Sequence, residues 1–419
     1  MTKAVRLPLE TLPDFPALCQ IWKALPEARL VGGAVRDMLN GMPASDFDFG
    51  TPETPPEVMK HLQDAGIGAV PTGLSHGTVT AVIDHRGYEI TTLRRDDVTD
   101  GRHANVSWTQ SWEEDAARRD FTINAMSCDR GGHIHDYFAG QEDLKAGRVR
   151  FVGDAGTRIR EDALRILRFF RFQARFGSAA PDKDTLDALM HGVGMIERLS
   201  VERIWSELRR ILTGPRVTET LRLMNQTGVM AACLPELSGQ LPAAIQRLDV
   251  LIRYDGPADY ALRLAALLAG AGCEPERAKR CVERLRLSRA DASLVLAFLQ
   301  TLPPVPERIV TDEDASSVLA EIPREVALGQ AWLAEAQQIV TAPNRHDAAS
   351  WKRLRLRLAN LPVPVFPLAG RDLLAEGIPP GPRVGELLSM IRTWWRESGC
   401  RAGREECLTY LHDLRESFL

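Results

Sequence analysis

The sequence predicts a small α+β head followed by an all-helical remainder, and three observations predict it. Residues from about 28 to 150 mix short β-branched runs with short helical stretches. From about Gly156 onward, Leu-, Ala- and Arg-rich segments repeat at helical spacing. Proline-bearing breaks at 180–181, 302–306 and 361–367 divide that helical part. Strands followed by runs of helices read as α+β, with boundaries expected near 150, 200 and 330.

In chain order, the head opens with the apolar pair Leu30-Val31 running into Gly32-Gly33. A short helix is expected from Ala34 to Leu39, then a turn at Asn40-Gly41-Met42-Pro43. A strand carrying Asp46-Phe47-Asp48 should follow. Thr78–Ile83 and Tyr88–Leu93 are β-branched runs separated by Asp84-His-Arg-Gly87, a hairpin signal. The polar stretch Arg94–Trp108 reads as a mobile loop leading out of the second run.

The glycines let the backbone approach a ligand, and amides at a helix start suit a triphosphate. Residues two apart on a strand face the same side, so Asp46 and Asp48 point together, with Cα atoms roughly 7 Å apart, while Phe47 points inward. That spacing lets the pair share hard cations about 3.5–4 Å apart, as in phosphoryl transfer. The donor set is all oxygen, which favours Mg²⁺ over Zn²⁺. A glycine pair alone reads equally as a turn, and Asp-x-Asp alone as a solvated strand edge; in this order they signal nucleotidyl transfer.

Bulk properties bound the rest. The 419 residues are enough for more than one domain, and 44% hydrophobic with 26% charged residues excludes global disorder. The formal net charge of −4 gives no argument for nucleic acid, so RNA binding must rest on local basic surface. Seven scattered cysteines with no C-x-x-C pair argue against zinc and disulfides. Without a signal-like start or a spanning apolar run, no membrane is expected and the compartment is expected to be cytoplasmic.

A second segment, Arg158–Arg175, should form one helix. At about 100° per residue, Arg171, Arg175, Arg168 and Arg165 fall roughly 180°, 220°, 240° and 300° from Asp162, with Ala163, Ile166, Leu167, Phe169 and Phe170 on the other side. Six arginines face only Glu161 and Asp162 within these eighteen residues. A solvated arginine face is the plain reading. All six cations are arginine, though, the residue suited to forked hydrogen bonds. Asp162 and Arg165, three apart, share a face. Arginine donates to N3 of cytosine or N1 of adenine, and aspartate accepts from the exocyclic amine. Guanine and uracil present the reverse pattern and would leave polar groups unpaired. The pair would admit C and A and exclude G and U.

The order Gly-Gly-x-x-Arg (32–36), Asp-x-Asp (46–48), Arg-Arg-Asp-Phe-Thr-Ile-Asn-Ala (118–125) and Glu-Asp-x-Leu-Arg-x-x-Arg-x-x-Arg-Phe (161–172) resembles the class II tRNA nucleotidyltransferase and bacterial poly(A) polymerase family, within the DNA polymerase beta-like superfamily. Weaker matches at Ser200-Val-Glu-Arg-Ile204, Leu234-Pro-Glu-Leu237, Gly370–Leu374 and Pro380–Gly385 extend it over most of the chain. Ala163 stands where many relatives have proline, and alanine starts a helix as well.

The resemblance implies a nucleotidyltransferase head at 1–150, a neck reading the base at 151–200, a helical body at 201–330 and a tail at 331–419. It implies that Asp46 and Asp48 are catalytic and hold Mg²⁺, and that Gly33, Arg36 and Arg119 meet the incoming nucleotide. Asp162 and Arg165 would read the base, with Arg168 and Arg171 supporting that helix or binding phosphate. Glu89 is either a third assisting carboxylate or an exposed strand position. Asn124 reads as a cap or turn residue. In this family a full loop at 94–108 accompanies terminal A addition, so CCA addition to tRNA from CTP and ATP is expected over CC addition. The absence of a long basic extension after the tail-like segment favours CCA addition over poly(A) synthesis. The acceptor stem and T arm of tRNA would lie on the helical half. A noncatalytic RNA-binding protein on the same scaffold is the reading from another class, and the two intact aspartates argue against it. Trp351–Arg357 is a backbone contact or a solvated face, and Trp394-Trp395 reads as tail packing. His346-Asp347 and His412-Asp413 lack companion histidines, so no second hydrolase activity is expected.

Overall fold

The computed structural model describes residues 6–100, 103–300 and 303–417. The chain forms two compact units, Met1–Cys233 and Leu234–Leu419. The boundaries expected near 150 and 200 fall inside the first unit, and that near 330 inside the second.

The first unit begins with α1 (Phe15–Ala24), β1 (Arg29–Val31), α2 (Gly33–Leu39), β2 (Asp48–Thr51), α3 (Pro55–Asp64) and β3 (Gly68–Gly73). Next come β4 (Thr78–Ile83), β5 (Arg86–Thr92), β6 (Arg94–Asp100), β7 (His103–Trp108), α4 (Trp112–Ala117), β8 (Met126–Cys128), β9 (Ile134–Asp136) and α5 (Gly140–Lys145). Seven strands make one mixed sheet in the order β3-β4-β5-β2-β1-β8-β9. β1 is antiparallel to both neighbours, while β2 runs parallel to β5. Leu30, Phe49, Ile90 and Val79 are fully buried, and Trp22 of α1 meets Phe49 edge-on at 5.4 Å between ring centroids. The Trp22 indole N–H donates to the Ala28 carbonyl at 2.8 Å, so this buried ring leaves no polar atom unpaired.

Two sequence expectations are corrected here. Asp46 precedes the strand, which begins at Asp48. The ladder stops because Val31, the partner of Asp48, is the last residue of β1 before the chain turns at Gly32. The segment before Asp46 is instead pinned by Arg86, whose guanidinium donates to the Ser45 carbonyl and pairs with Asp14. The stretch Arg94–Trp108 is not a loop but an antiparallel ribbon of β6 and β7, with a register shift between Asp96 and Val98; 101–102 lie outside the described residues. Its root is fixed: a Cβ on Gly77, at φ 80°, would come within 2.6 Å of the Trp108 ring. Arg94 also donates to the His76 carbonyl at 2.6 Å.

The unit continues with α6 (Ala155–Glu161), α7 (Leu164–Phe176), α8 (Lys183–Gly192), α9 (Val201–Thr213), α10 (Val217–Gln226) and α11 (Val229–Cys233). The single helix expected over 158–175 is therefore two. Asp162 is extended (φ −152°, ψ 107°), and its Oδ1 accepts the Leu164 N–H at 3.0 Å. An aspartate that bonds the backbone two residues on starts a new helix rather than continuing the old one. Phe121, Phe151, Phe169 and Phe172 form an aromatic cluster with centroids 5.0–6.3 Å apart, joining the 118–125 segment to α7.

The second unit is helical, from α12 (Leu241–Arg253) and α13 (Tyr260–Gly270) to Pro382–Glu397 and Arg404–Ser417 near its end. One core gathers around buried Trp351 and another around buried Trp395. Trp394 stacks on Tyr410 at 4.4 Å, so this tryptophan pair serves packing, as the sequence suggested. In the basic run, Arg355 pairs with buried Glu335 and Arg357 with Asp312 at 2.8 Å. Glu335 also takes His346, at 2.9 Å. Among the described residues no helix is long and apolar enough to cross a membrane.

Candidate active site

The glycine turn, two carboxylates and one guanidinium meet where β1 ends and β2 begins. Val31 faces Asp48 across the ladder, and the chain then reverses at Gly32, whose φ of 66° suits glycine. A Cβ on Gly32 would lie 3.2 Å from Arg119 Nη1, so the missing side chain is what seats Arg119 beside the turn. Arg119 donates to the Asn124 carbonyl at 3.4 Å and pairs with buried Asp115 at 3.1 Å. Burial pushes the Asp115 carboxyl up, but Arg119 and Arg118 hold it below the ordinary range.

Asp46 and Asp48 are both exposed and flank buried Phe47, so the alternation read from sequence persists across the start of the strand. Phe49 pairs with Ile90, which sets Glu89 level with Asp48 on the neighbouring strand. Partial burial, then the charges of Glu89 and Asp46, push the Asp48 carboxyl above its ordinary range; Arg119 opposes this. Among the described residues no three His, Cys, Asp or Glu side chains are grouped closely enough to hold a metal unaided. The excess negative charge and all-oxygen donors nevertheless fit a hard cation that keeps waters and takes phosphate oxygens.

The residues expected to meet the nucleotide divide into two groups. Gly33 opens α2, and Arg119 lies beside the turn. Arg36, by contrast, is buried: it pairs with Asp37 at 2.7 Å, donates to the Asn124 Oδ1 and lies over the Phe176 ring at 4.3 Å. Burial pushes its guanidinium below the usual value.

Asp162 and Arg165 do not share one helix, and what joins them is a backbone bond, from the Arg165 N–H to the Asp162 carbonyl at 3.0 Å, while their side chains go to other partners. Asp162 pairs with Arg203 of α9 at 2.7 Å. Arg165 pairs with Glu161 and donates to the carbonyls of Arg158 and Arg118 at 3.0 and 3.1 Å. Arg168 reaches Asp120 at 2.6 Å, and Arg171 reaches buried Glu207 at 2.7 Å. The plain alternative of a solvated arginine face therefore does not hold for Arg165, Arg168, Arg171 and Arg175, which meet carboxylates from other elements. Sequence reasoning missed Arg203, Glu207 and Asp115. Arg203 and Glu207 stand four apart after Ser200, a spacing that puts both on one helix face, and that pattern could have flagged them.

Asp120 is buried; burial pushes its carboxyl up, yet Arg168, the Asn124 side chain and the Phe121 amide bring it below the ordinary carboxylate range. Breaking such a pair leaves a charge stranded, so Asp120→Asn should cost about 3 kcal/mol at neutral pH. A lowered native pKa stabilises fully above the unfolded value and is lost as pH falls through the lowered one. The gap between wild type and Asp120→Asn in urea unfolding should therefore narrow below pH about 4. A gap independent of pH would contradict this.

The Poly A polymerase head domain profile matches residues 28–150. A second, described as the probable RNA and SrmB-binding site of polymerase A, matches 180–241. CCA tRNA nucleotidyltransferase 1, mitochondrial, of Mus musculus is 35% identical over 390 residues, 92% of this chain and 86% of the relative. The CCA-adding enzyme of Geobacillus stearothermophilus is 34% identical over 387 residues, 88% of each chain. The crystal structure of the Bacillus stearothermophilus CCA-adding enzyme in complex with CTP superposes with a TM-score of 0.79 at 30% identity, covering 97% of this chain and 99% of that one. With the glycine turn, the paired aspartates and the arginine-rich helix in the same chain, these likenesses show that it belongs to the family of CCA-adding tRNA nucleotidyltransferases, and so is an enzyme.

Proposed function

We propose that this enzyme completes tRNA 3′ ends by adding C, C and A from CTP and ATP without a nucleic-acid template. The observation that carries the reading is the exposed Asp46–Asp48 pair beside Arg119 and the glycine turn, in a chain alignable almost end to end with a CCA-adding enzyme that binds CTP. Nucleotidyltransferases of this kind generally use a divalent metal. Here Asp46 and Asp48 would hold Mg²⁺, with Glu89 adding negative charge alongside. Bound there, the ion would supply positive charge against the α-phosphate and the departing pyrophosphate.

The protein's own groups do the rest. Gly33 gives the triphosphate room, and Arg119 adds charge on its flank. Arg36 acts from within by holding α2, the helix that the glycine turn opens. The RNA 3′-oxygen forms a bond to the α-phosphorus as the bond to the β-phosphate oxygen breaks, and pyrophosphate leaves. Asp162 and Arg165 read the base edge; Arg168 and Arg171 hold α7 to Asp120 and Glu207. The neck at 151–200 would choose the base, and the helical body and tail, 201–330 and 331–419, would hold the acceptor stem and T arm by shape and phosphate contacts. The ribbon β6–β7 supports complete CCA synthesis over CC addition.

Mg²⁺, labelled CTP or ATP, and tRNA lacking its 3′ end test the reading. Growth by three residues with C before A is the expected result. Open-ended A incorporation would make the enzyme a poly(A) polymerase, and no incorporation would leave an RNA-binding protein.

A further inference from the structure

We propose that Asn124 is a positioning residue for nucleotide selection, fixing the triphosphate end of the site against the base-reading end. The inference rests on the function proposed above. Asn124 ends the short 3₁₀ turn Thr122–Asn124 and is 7% exposed. Its Oδ1 accepts from Arg36, and its Nδ2 donates to Asp120 Oδ1 at 2.9 Å. Its carbonyl accepts from Arg119 at 3.4 Å, and its own N–H donates to the Phe121 carbonyl at 2.9 Å. The second Asp120 oxygen takes the Arg168 Nε at 2.8 Å.

This residue therefore stands between two parts of the site. Toward one side lie Arg36, in the helix after the glycine turn, and Arg119, against Gly32 itself. Toward the other lie Asp120 and, through it, Arg168 on α7, the helix that also carries Arg165. The chemistry fixes the residue type. A guanidinium only donates and a carboxylate only accepts, so the linking group must accept on one side and donate on the other. A carboxamide does both, whereas a carboxylate would face Asp120 with like charge and an alkyl chain would leave both neighbours unpaired. Cap or turn duty would need only the backbone; the side chain's two bonds go to charged residues, Arg36 on α2 and Asp120 just before the turn.

If Asn124 only supported folding, its loss would lower the fraction of active enzyme and spare KM and the choice of nucleotide. A positioning role moves both. For Asn124→Ala and the near-isosteric Asn124→Asp, kcat/KM for CTP on tRNA lacking its 3′ end should fall about 100-fold, the usual effect of misplacing reacting groups by an ångström. KM for CTP should rise, and GTP and UTP should gain relative to CTP, while tRNA affinity stays within twofold. Unchanged KM and nucleotide choice in either folded variant would overturn the proposal. Should neither variant fold, the wild-type protein still decides: the Asn124 side-chain amide protons should exchange slowly with solvent and shift on addition of CTP. Rapid exchange with no shift would overturn it. Wild type that incorporates no CTP at all would sink the proposed function itself, a result distinct from any of these.

Discussion

Asp48→Ala should reduce nucleotide incorporation by roughly 10³-fold or more while leaving tRNA affinity unchanged, because charge compensation at a transferring phosphoryl group is worth several kcal/mol. The same substitution should not destabilise the fold and should raise the thermal midpoint. Asp48 reaches solvent on one side, pairs with no cation side chain among the described contacts, and is disfavoured as an anion by partial desolvation, Glu89 and Asp46, which the charge of Arg119 only partly offsets. Removing it relieves like-charge repulsion without opening a core cavity, since the neighbouring Phe47 and Phe49 carry the packing. Asp46→Ala should lose activity in the same way, although Asp46 lies before the strand and outside its ladder. Activity within tenfold of wild type in either variant would remove the metal assignment. A marked loss of stability would mean that the pair is structural.

Much of this arrangement was legible in the sequence. The glycine turn into α2, the hairpin of 78–83 with 88–93 (whose second strand starts two residues earlier, at Arg86, and ends at Thr92), and the exposed-buried-exposed alternation of Asp46, Phe47 and Asp48 follow from local rules: glycine's tolerance of positive φ, β-branched runs and the two-residue period of extended chain. What was not legible depends on partners distant in sequence. β2 starts at Asp48 because β1 ends opposite it, and nothing local to residue 46 announces that. Arg36 reads as a phosphate contact from its motif, yet Phe172, Phe176 and Asn124 enclose it from segments about 90 to 140 residues away. The helical wheel drawn through Asp162 assumed an unbroken helix; one side-chain bond to the Leu164 N–H ended that assumption. Arginine-rich sequence does not reveal whether its charges meet water or carboxylates, and here Asp37, Asp120 and Glu207 supply the answer.

Asp162→Ala combined with Arg165→Ala should collapse the choice among the four nucleotides, with discrimination against GTP and UTP falling from about 10⁴-fold toward tenfold or less. Hydrogen-bond readout rejects a wrong base because buried donors and acceptors are left unpaired, which requires those groups to be held still before the nucleotide arrives. Both are. Asp162 is fixed by Arg203 and by the Leu164 N–H, and Arg165 by Glu161 and two backbone carbonyls. Their anchors lie on different elements, so the reading edge is a product of the α6–α7 break rather than of one helix face. Asp162, one residue before the Ala163 N-cap, also takes the Leu164 N–H that opens α7, so Asp162→Ala alone should cost about 1 kcal/mol of stability. Arg203→Ala provides the control: it leaves the Asp162 carboxylate in place but unsupported, and should erode selectivity by an intermediate factor. Competition assays with all four nucleotides on tRNA ending before its terminal CCA separate the cases. Retained preference for C and A in the double variant would mean that the base is read by other residues.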